Sequence, residues 1–279
     1  MYEILAKEDL APVTKLYEVR APIVARKAQA GQFVIIRLYP EGERVPLTIA
    51  DYDRERGTIT LVVQEVGKTT MQMSTMQVGD HLASFTGPLG EPSRIEKYGT
   101  VLCIGGGVGI APIYPIARDL REAGNTVISI IGARNVDLLF WEEKMRAVSD
   151  ELIVCTDDGS HGRKALVTIP MKEMLEAEQS IDRIWAIGPA IMMKFCALTG
   201  RPFGVPMEVS LNSIMVDGTG MCGACRVEVG GQTRFVCVDG PEFDGYEVDW
   251  DQLLARQRIY LEQEKQAIEQ WQHECQCGS

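Results

Sequence analysis

The residues richest in chemistry lie in one short run, Met215-Val-Asp-Gly-Thr-Gly-Met-Cys-Gly-Ala-Cys-Arg226, with Cys237 following in Phe235-Val-Cys237. Thiolates are soft ligands suited to iron–sulfur clusters or zinc. Cys222 and Cys225 have the C-x-x-C spacing that clamps one metal, and the third thiol, Cys237, lies twelve residues further on. Gly218, Gly220 and Gly223 let backbone N–H groups turn toward sulfur, where they tune a cluster's potential. A [2Fe–2S] loop of the plant type reads C-x4-C-x2-C…C. Cys222 and Cys225 supply the C-x2-C, and Asp217 stands where the first cysteine would be. Two metal readings compete: a Cys3Asp [2Fe–2S] site with Asp217 as an oxygen ligand, or zinc held by three cysteines and a carboxylate. The glycine density favours the first, since a structural zinc loop does not need it. Three unligated core cysteines are the bland alternative.

A second signal is Gly105-Gly-Gly-Val-Gly-Ile-Ala-Pro112, between an apolar strand and a helix. Glycine admits close backbone approach, and a helix N-terminus favours phosphate. Strict G-x-G-x-x-G is absent; Gly107 to Pro112 read G-x-G-x-x-P, so a merely tight β–α turn is the plain alternative. Gly105, Gly106, Gly107, Gly109 and Pro112 are nucleotide candidates. Arg134 ends the next expected strand, where it faces a ribose or phosphate or simply solvent. Asp157, Asp158, Gly188 and Pro189 end two further strands on the same rim, where such sheets bind ligands. A third signal is Arg44-Val-Pro-Leu-Thr48. Arg44 suits a pyrophosphate, Pro46 and Leu47 present the next backbone groups, and Thr48, the catalytic candidate, offers a hydroxyl to a flat heterocycle. Gly67-Lys-Thr-Thr70 is a turn suited to phosphate through Gly67, Thr69 and Thr70, and it lacks the upstream glycine of a Walker motif.

The elements that must position these groups follow from periodicity. Gln32–Leu38, Val45–Ala50 and Thr58–Val63 are short strands at close spacing, which indicates an N-terminal barrel. From Thr100 strands alternate with helices: Val101–Ile104, a helix from Pro112 to Ala123, Thr126–Ile131, a helix over Leu138–Arg146, Leu152–Cys155, a helix near Ala165–Glu178, Arg183–Ile187 and a helix near Ala190–Leu198. That alternation indicates a parallel α/β sheet. Asp249–Gln272 carries an imperfect apolar stripe and is expected to be one helix packed on the body or on a partner. The fold class is thus all-β plus α/β, with domains at 1–97, 98–203 and 204–279.

Whole-chain properties bound the function. With 279 residues and a net charge of −11, the chain is a poor candidate for nucleic acid or an anionic membrane surface. The acidic start is unlike a signal peptide. Gly99 to Ala117 is uncharged but too rich in Gly and Pro for a lipid-facing helix, so a cytoplasmic protein is expected. Eight cysteines in a reducing compartment are not structural disulfides. Cys103, Cys155 and Cys196 read as small core residues, with Cys155 alternatively approaching the nucleotide from its strand end. The tail His273-Glu-Cys-Gln-Cys277 reads as an exposed end or a metal site. Met71-Gln-Met-Ser-Thr-Met76 reads as core.

A barrel with R-x-P-L-T, a G-x-G-x-x-P nucleotide half and a cysteine loop, in this order, resembles the ferredoxin–NADP reductase superfamily over essentially the whole chain. Two groups within it share the three-part order: electron-transfer subunits of dihydroorotate dehydrogenase, with four cysteines at the cluster, and small subunits of NADH-dependent ferredoxin:NADP oxidoreductase, also called sulfide dehydrogenase. Met215–Arg226 and the terminal helix look more like the second. The resemblance implies FAD at Arg44, Pro46, Leu47, Thr48, Gly67, Thr69 and Thr70. It implies NAD(H) as substrate at Gly105 to Pro112, Asp157, Asp158, Gly188 and Pro189, and a [2Fe–2S] cluster at Asp217, Cys222, Cys225 and Cys237. It further implies a large flavin and iron–sulfur subunit as partner, reaching ferredoxin and NADP through that subunit by electron bifurcation. A stand-alone reductase and a regulatory redox sensor are the remaining alternatives.

Overall fold

The computed structural model describes residues 2–177 and 180–277. Its N-terminal sheet is antiparallel, built from β1 (Tyr2–Ala11), β2 (Thr14–Arg20), β3 (Phe33–Arg37), β4 (Val45–Asp53), β5 (Thr58–Gln64), β6 (His81–Leu82) and β7 (Ser84–Leu89). The order is β6-β1-β2-β5-β4-β3-β7. The outermost strands, β6 and β7, are parted in sequence by Ala83 alone, so the sheet curls into a nearly closed barrel that leaves little open edge. Ile4, Tyr17, Val34, Ile36, Ile49, Leu61 and Met73 fill it. Helices α1 (Pro22–Lys27) and α2 (Lys68–Thr75) flank it. The expected methionine core is present at Met73 and Met76.

Strands β3, β4 and β5 match the expected runs within a few residues. Strands β1 and β2 gave no periodic signal. Tyr2–Ala11 is mixed with Lys, Glu and Asp, and its pairing with β2 shifts register twice, so no strict alternation survives.

The second sheet uses β8 (Thr100–Gly106), β9 (Thr126–Ala133), β10 (Glu151–Thr156), β11 (Arg163–Lys164), β12 (Arg183–Ile187) and β13 (Met207–Ser210). A separate hairpin of β14 (Arg226–Val229) and β15 (Gln232–Phe235) follows, and β16 (Glu242–Asp244) returns to the sheet. The order β11-β10-β9-β8-β12-β13-β16 is parallel except for β16. Helix α3 (Ile110–Glu122) follows β8, and α4 (Glu142–Ala147), α5 (Thr168–Glu176), α6 (Ala190–Gly200), α7 (Val236–Asp239), α8 (Trp250–Gln257) and α9 (Leu261–Cys277) complete the chain. The uncharged run Gly99 to Ala117 is β8 and the first half of α3. Among the described residues no helix is long and apolar enough to cross a membrane.

Two expected helices differ. The one over Leu138–Arg146 is reduced to α4, because Trp141 adopts a left-handed φ of 58° just before it, a conformation that cannot continue a right-handed helix. The C-terminal helix is two. Asp249 caps α8 by accepting from the Gln252 N–H at 2.9 Å, a turn at 258–260 interrupts the helix, and α9 then packs on α2. Cys275 and Cys277 lie beyond the described side chains. Phe33 and Ile35 of the barrel share one buried cluster with Ile104 of the second sheet and with Cys225 and Cys237, so the three regions are packed together.

Candidate functional site

After β13 the chain runs without regular structure to β14. Gly218, Gly220 and Gly223 take φ of 76°, 80° and 68°, values open to glycine without strain. The loop gathers the four expected ligands as two pairs. Cys222 Sγ lies 3.4 Å from Asp217 Oδ1, and Cys225 Sγ lies 3.2 Å from Cys237 Sγ. The β14–β15 hairpin explains the second spacing: it begins just after Cys225, pairs Arg226 with Phe235, and returns the chain to Cys237. The Val236 N–H donates to the Cys225 carbonyl at 3.2 Å. Cys225 and Cys237 are buried and Cys222 is exposed.

Two donor pairs suit a binuclear cluster, in which each iron takes two protein ligands. A tetrahedral zinc needs four donors about one point, and among the described residues no three or more His, Cys, Asp or Glu side chains converge for a single ion. The donor set fits [2Fe–2S]. The Thr219 N–H, 3.0 Å from Asp217 Oδ1, holds that carboxyl below the usual carboxylate range. Burial, then the neighbouring Cys225 thiol, pushes the Cys237 thiol up to about 12; a coordinated metal deprotonates such a thiol. A Cβ on Gly218 would stand 2.6 Å from Ile35 Cδ1 and 2.9 Å from Leu89 Cδ1. The loop is therefore seated on β3 and β7, and Ile35 is the cross-strand partner of Pro46.

Arg44 lies exposed just before β4, with Pro46, Leu47 and Thr48 half-buried inside that strand. They face Ile35, Val34 and Phe33 of β3. Pairing with β5 begins only at Ile49, so the other edge of residues 45–48 has no strand beside it and its backbone groups are available to a planar ligand. Gly67 caps α2, and a Cβ there would meet nothing within 4 Å. The Thr70 hydroxyl accepts from the Val66 and Gly67 N–H groups at 3.1 and 3.0 Å. The Thr69 hydroxyl donates to Glu43 at 2.6 Å, which holds the Glu43 carboxyl below its usual range. Both hydroxyls are thus engaged within the chain. Glu43 also pairs with Lys68 at 3.3 Å, which brings the adjacent Arg44 to the start of α2. That start, Arg44 and the open edge together fit an extended flavin nucleotide. Sequence reasoning missed Arg37, whose buried Nε lacks a partner and whose Cγ lies 3.5 Å from a Cβ built on Gly42.

The nucleotide rim separates the roles of its glycines. A Cβ on Gly109 would lie 2.2 Å from the Ile187 carbonyl oxygen, and one on Gly105 2.9 Å from Ile113; both are packing positions. A Cβ on Gly106 would lie 2.2 Å from Met192 Sδ, and one on Gly188 2.8 Å from Met192 Cε. Gly107, at φ 55°, faces open space. Pro112 sits in the first turn of α3, and Pro189 precedes α6. The connection from β8 leads to β9 on one side while β12 lies on the other, so the crevice falls between β8 and β12. Met192, which the sequence did not single out, stands in it. Arg134, Asp157 and Asp158 are exposed at the ends of β9 and β10. Asp158 accepts from the Ser160 hydroxyl at 2.7 Å and lies below its usual carboxylate range. Cys155 is buried in the core, and burial raises its thiol.

This barrel, parallel sheet and cysteine loop define a flavin-dependent reductase with an iron–sulfur centre. Residues 2–93 match the family of oxidoreductase FAD-binding domains, and residues 212–249 match the iron–sulfur cluster binding domain of dihydroorotate dehydrogenase B. The chain is 53% identical over 269 residues to a Thermotoga maritima protein described as a homolog of the electron transfer subunit of dihydroorotate dehydrogenase B, covering 96% of this chain and 95% of that one. It is 34% identical to the electron transfer subunit of Bacillus caldolyticus, over 81% of this chain and 89% of that one. A solved structure of NADH-dependent reduced ferredoxin-NADP oxidoreductase, a study of flavin-based electron bifurcation, superimposes with a TM-score of 0.92 at 51% identity, covering 97% and 98% of the two chains. The chain belongs to the family of dihydroorotate dehydrogenase B electron transfer subunits. It is an oxidoreductase that carries FAD and an iron–sulfur cluster and acts with NAD(H).

Proposed function

We propose that this chain exchanges hydride with NAD(H) at FAD and passes single electrons through a [2Fe–2S] cluster to a larger flavin and iron–sulfur subunit. The complex is a bifurcating NADH-dependent ferredoxin:NADP oxidoreductase, in which ferredoxin and NADP are reached through the larger subunit. The observation that carries this reading is the pairing of Asp217 with Cys222 and of Cys225 with Cys237, on a loop seated against the barrel strand opposite Pro46.

FAD, when bound, accepts two electrons at once and can release them singly. The chain's own residues bind and orient. Arg44 and the backbone N–H groups at the start of α2, about Gly67, Thr69 and Thr70, hold the pyrophosphate. Pro46, Leu47 and Thr48 present backbone groups and one hydroxyl to the ring edge. Gly105, Gly106, Gly107, Gly109 and Pro112 shape the turn that admits the nicotinamide nucleotide, with Gly188 and Pro189 as the opposite wall. Arg134, Asp157 and Asp158 face its ribose. Asp217, Cys222, Cys225 and Cys237 hold the cluster. Hydride transfer needs no general acid, which suits a chain with three histidines. The reading places the protein in the cytoplasm, in keeping with the free thiols of Cys103, Cys155 and Cys196.

The second reading is a subunit of dihydroorotate dehydrogenase B, supported by the family matched at residues 212–249. Asp217 in the first ligand place speaks against it. Anaerobic purification from native cells, with mass spectrometry of what accompanies the chain, separates the two. A large flavin and iron–sulfur subunit supports the first, a dihydroorotate dehydrogenase subunit the second, and a lone chain that still oxidises NADH overturns both.

A further inference from the structure

Glu242 opens β16, five residues after Cys237, and its carboxyl ends at a junction of all three regions. Its Oε1 is bonded to the hydroxyl of Ser93, in the linker that leaves the barrel. Its Oε2 accepts from the Trp185 indole N–H, on strand β12, at 3.2 Å. Ser93 and Trp185 are themselves buried. The residue retains some surface, but its carboxyl end is the desolvated part. The junction is tight: the Ser93 N–H donates to the Ala30 carbonyl at 2.9 Å, and a Cβ on Gly31 would stand 2.2 Å from Ser93 Oγ. The cluster segment is bound to the same place, since the Glu91 N–H donates to the Gly240 carbonyl at 2.7 Å.

Charges of both signs face the carboxyl. Glu208 on β13 faces Glu242 as a like charge, while Arg183 on β12 faces it as an opposite one, and the two are paired with each other. The Cys103 thiol of β8, fully buried, is pushed up chiefly by that burial and further by Glu242. Burial is the largest influence on Glu242, and it raises the carboxyl to about 7 against the two hydrogen bonds. Both protonation states satisfy the partners: the carboxylate accepts from Ser93 and Trp185, and the neutral acid can donate to Ser93 Oγ while still accepting from Trp185.

We propose that Glu242 is a proton-binding site that balances the charge of an electron on the neighbouring cluster. This inference rests on the cluster reading above. Five residues of chain hold the Glu242 Cα within about 18 Å of the Cys237 Cα, and Phe243, the next residue after Glu242, shares one buried cluster with Cys225 and Cys237, in packed protein where charges interact more strongly than in water. The step balances simply. One electron leaves the reduced flavin and reaches the cluster, and one proton passes from solvent to the Glu242 carboxylate. When the acceptor takes the electron, the proton returns to solvent. Glu242 is a positioning residue for charge and touches no reacting atom.

The test is an EPR-monitored redox titration of the holoprotein between pH 6 and pH 8, beside Glu242→Gln and Ser93→Ala. The native cluster is expected to be several-fold harder to reduce at pH 8 than at pH 6. Glu242→Gln, neutral throughout, abolishes that dependence. Ser93→Ala removes a bond that favours the carboxylate, so the dependence moves to higher pH. An infrared pH titration gives a readout apart from redox chemistry: the protonated-carboxyl band that titrates near neutrality should vanish in Glu242→Gln. A cluster potential that depends on pH equally in the native protein and in Glu242→Gln, or that is independent of pH in the native protein, overturns the proposal. A native protein with no [2Fe–2S] signal at all overturns the cluster reading instead.

Discussion

At the scale of the residue, Asp217 decides most. It keeps the spacing of a plant-type loop and, in the ligand place proposed for it, would replace sulfur by a harder oxygen. Asp217→Cys should retain the cluster with a shifted potential and EPR spectrum, while Asp217→Ala should lose the signal; an unchanged signal in Asp217→Ala would remove it from the ligand set. Glu242 gives a second prediction, from linkage. Its folded pKa, about 7, stands above the ordinary 4.5. The folded chain therefore holds more protons than the unfolded chain between these values, and stability falls as pH rises from 4.5 to 7. The contribution lost is at most about 3 kcal/mol. Chemical denaturation of native protein and Glu242→Gln across this window checks it: the variant should lack that portion of the decline. The candidate ligands were legible because thiol spacing survives in sequence. Glu242 was not, because its environment is assembled from Ser93 and Trp185, 149 and 57 residues away.

At the scale of the element, the strand ends and turns carry the proposed binding groups, and glycines there serve two distinct needs. Gly109→Ala would drive a Cβ into the backbone of β12 at 2.2 Å, and backbone cannot rotate away. Gly107→Ala meets no atom and suffers the strain of φ 55°, worth about 1–2 kcal/mol. Thermal unfolding should therefore rank Gly109→Ala well below Gly107→Ala in stability. The β–α alternation of the second half was readable from apolar runs such as Arg183–Ile187, which is β12. The helix expected from Leu138 failed at a single left-handed residue, Trp141, which no periodicity reveals. The open edge of residues 45–48 was equally hidden, because it depends on where β5 stops pairing.

At the scale of the whole molecule, the barrel and the parallel sheet are joined by a charged and aromatic seam. Arg118 of α3 pairs with Asp51 of β4 at 2.6 Å, and its guanidinium stacks 5.2 Å from the Tyr52 ring centroid. Lys144 of α4 lies 3.6 Å from the same Asp51. A cleft of about 980 Å³ opens beside this seam, lined among others by Arg54, Arg118, Asp119 and Lys144. The pair is partly buried, so Arg118→Ala strips Asp51 of its nearer cation and should cost about 1–3 kcal/mol, read as a lower denaturation midpoint. The switch from an antiparallel barrel to a parallel sheet was visible in the change of period near Thr100. The way β13 and β16 join the second sheet from either side of the cysteine loop was not, because each strand is only three or four residues long.

The central claim is that this chain turns hydride into single electrons delivered at the Asp217–Cys237 site. An anaerobic NADH titration of the isolated holoprotein, followed by absorbance and EPR in one sample, tests it most directly. The account predicts that NADH bleaches the flavin and that a reduced [2Fe–2S] signal grows with it, lost in Asp217→Ala. Flavin bleaching that leaves an intact, titratable cluster wholly oxidised would contradict it.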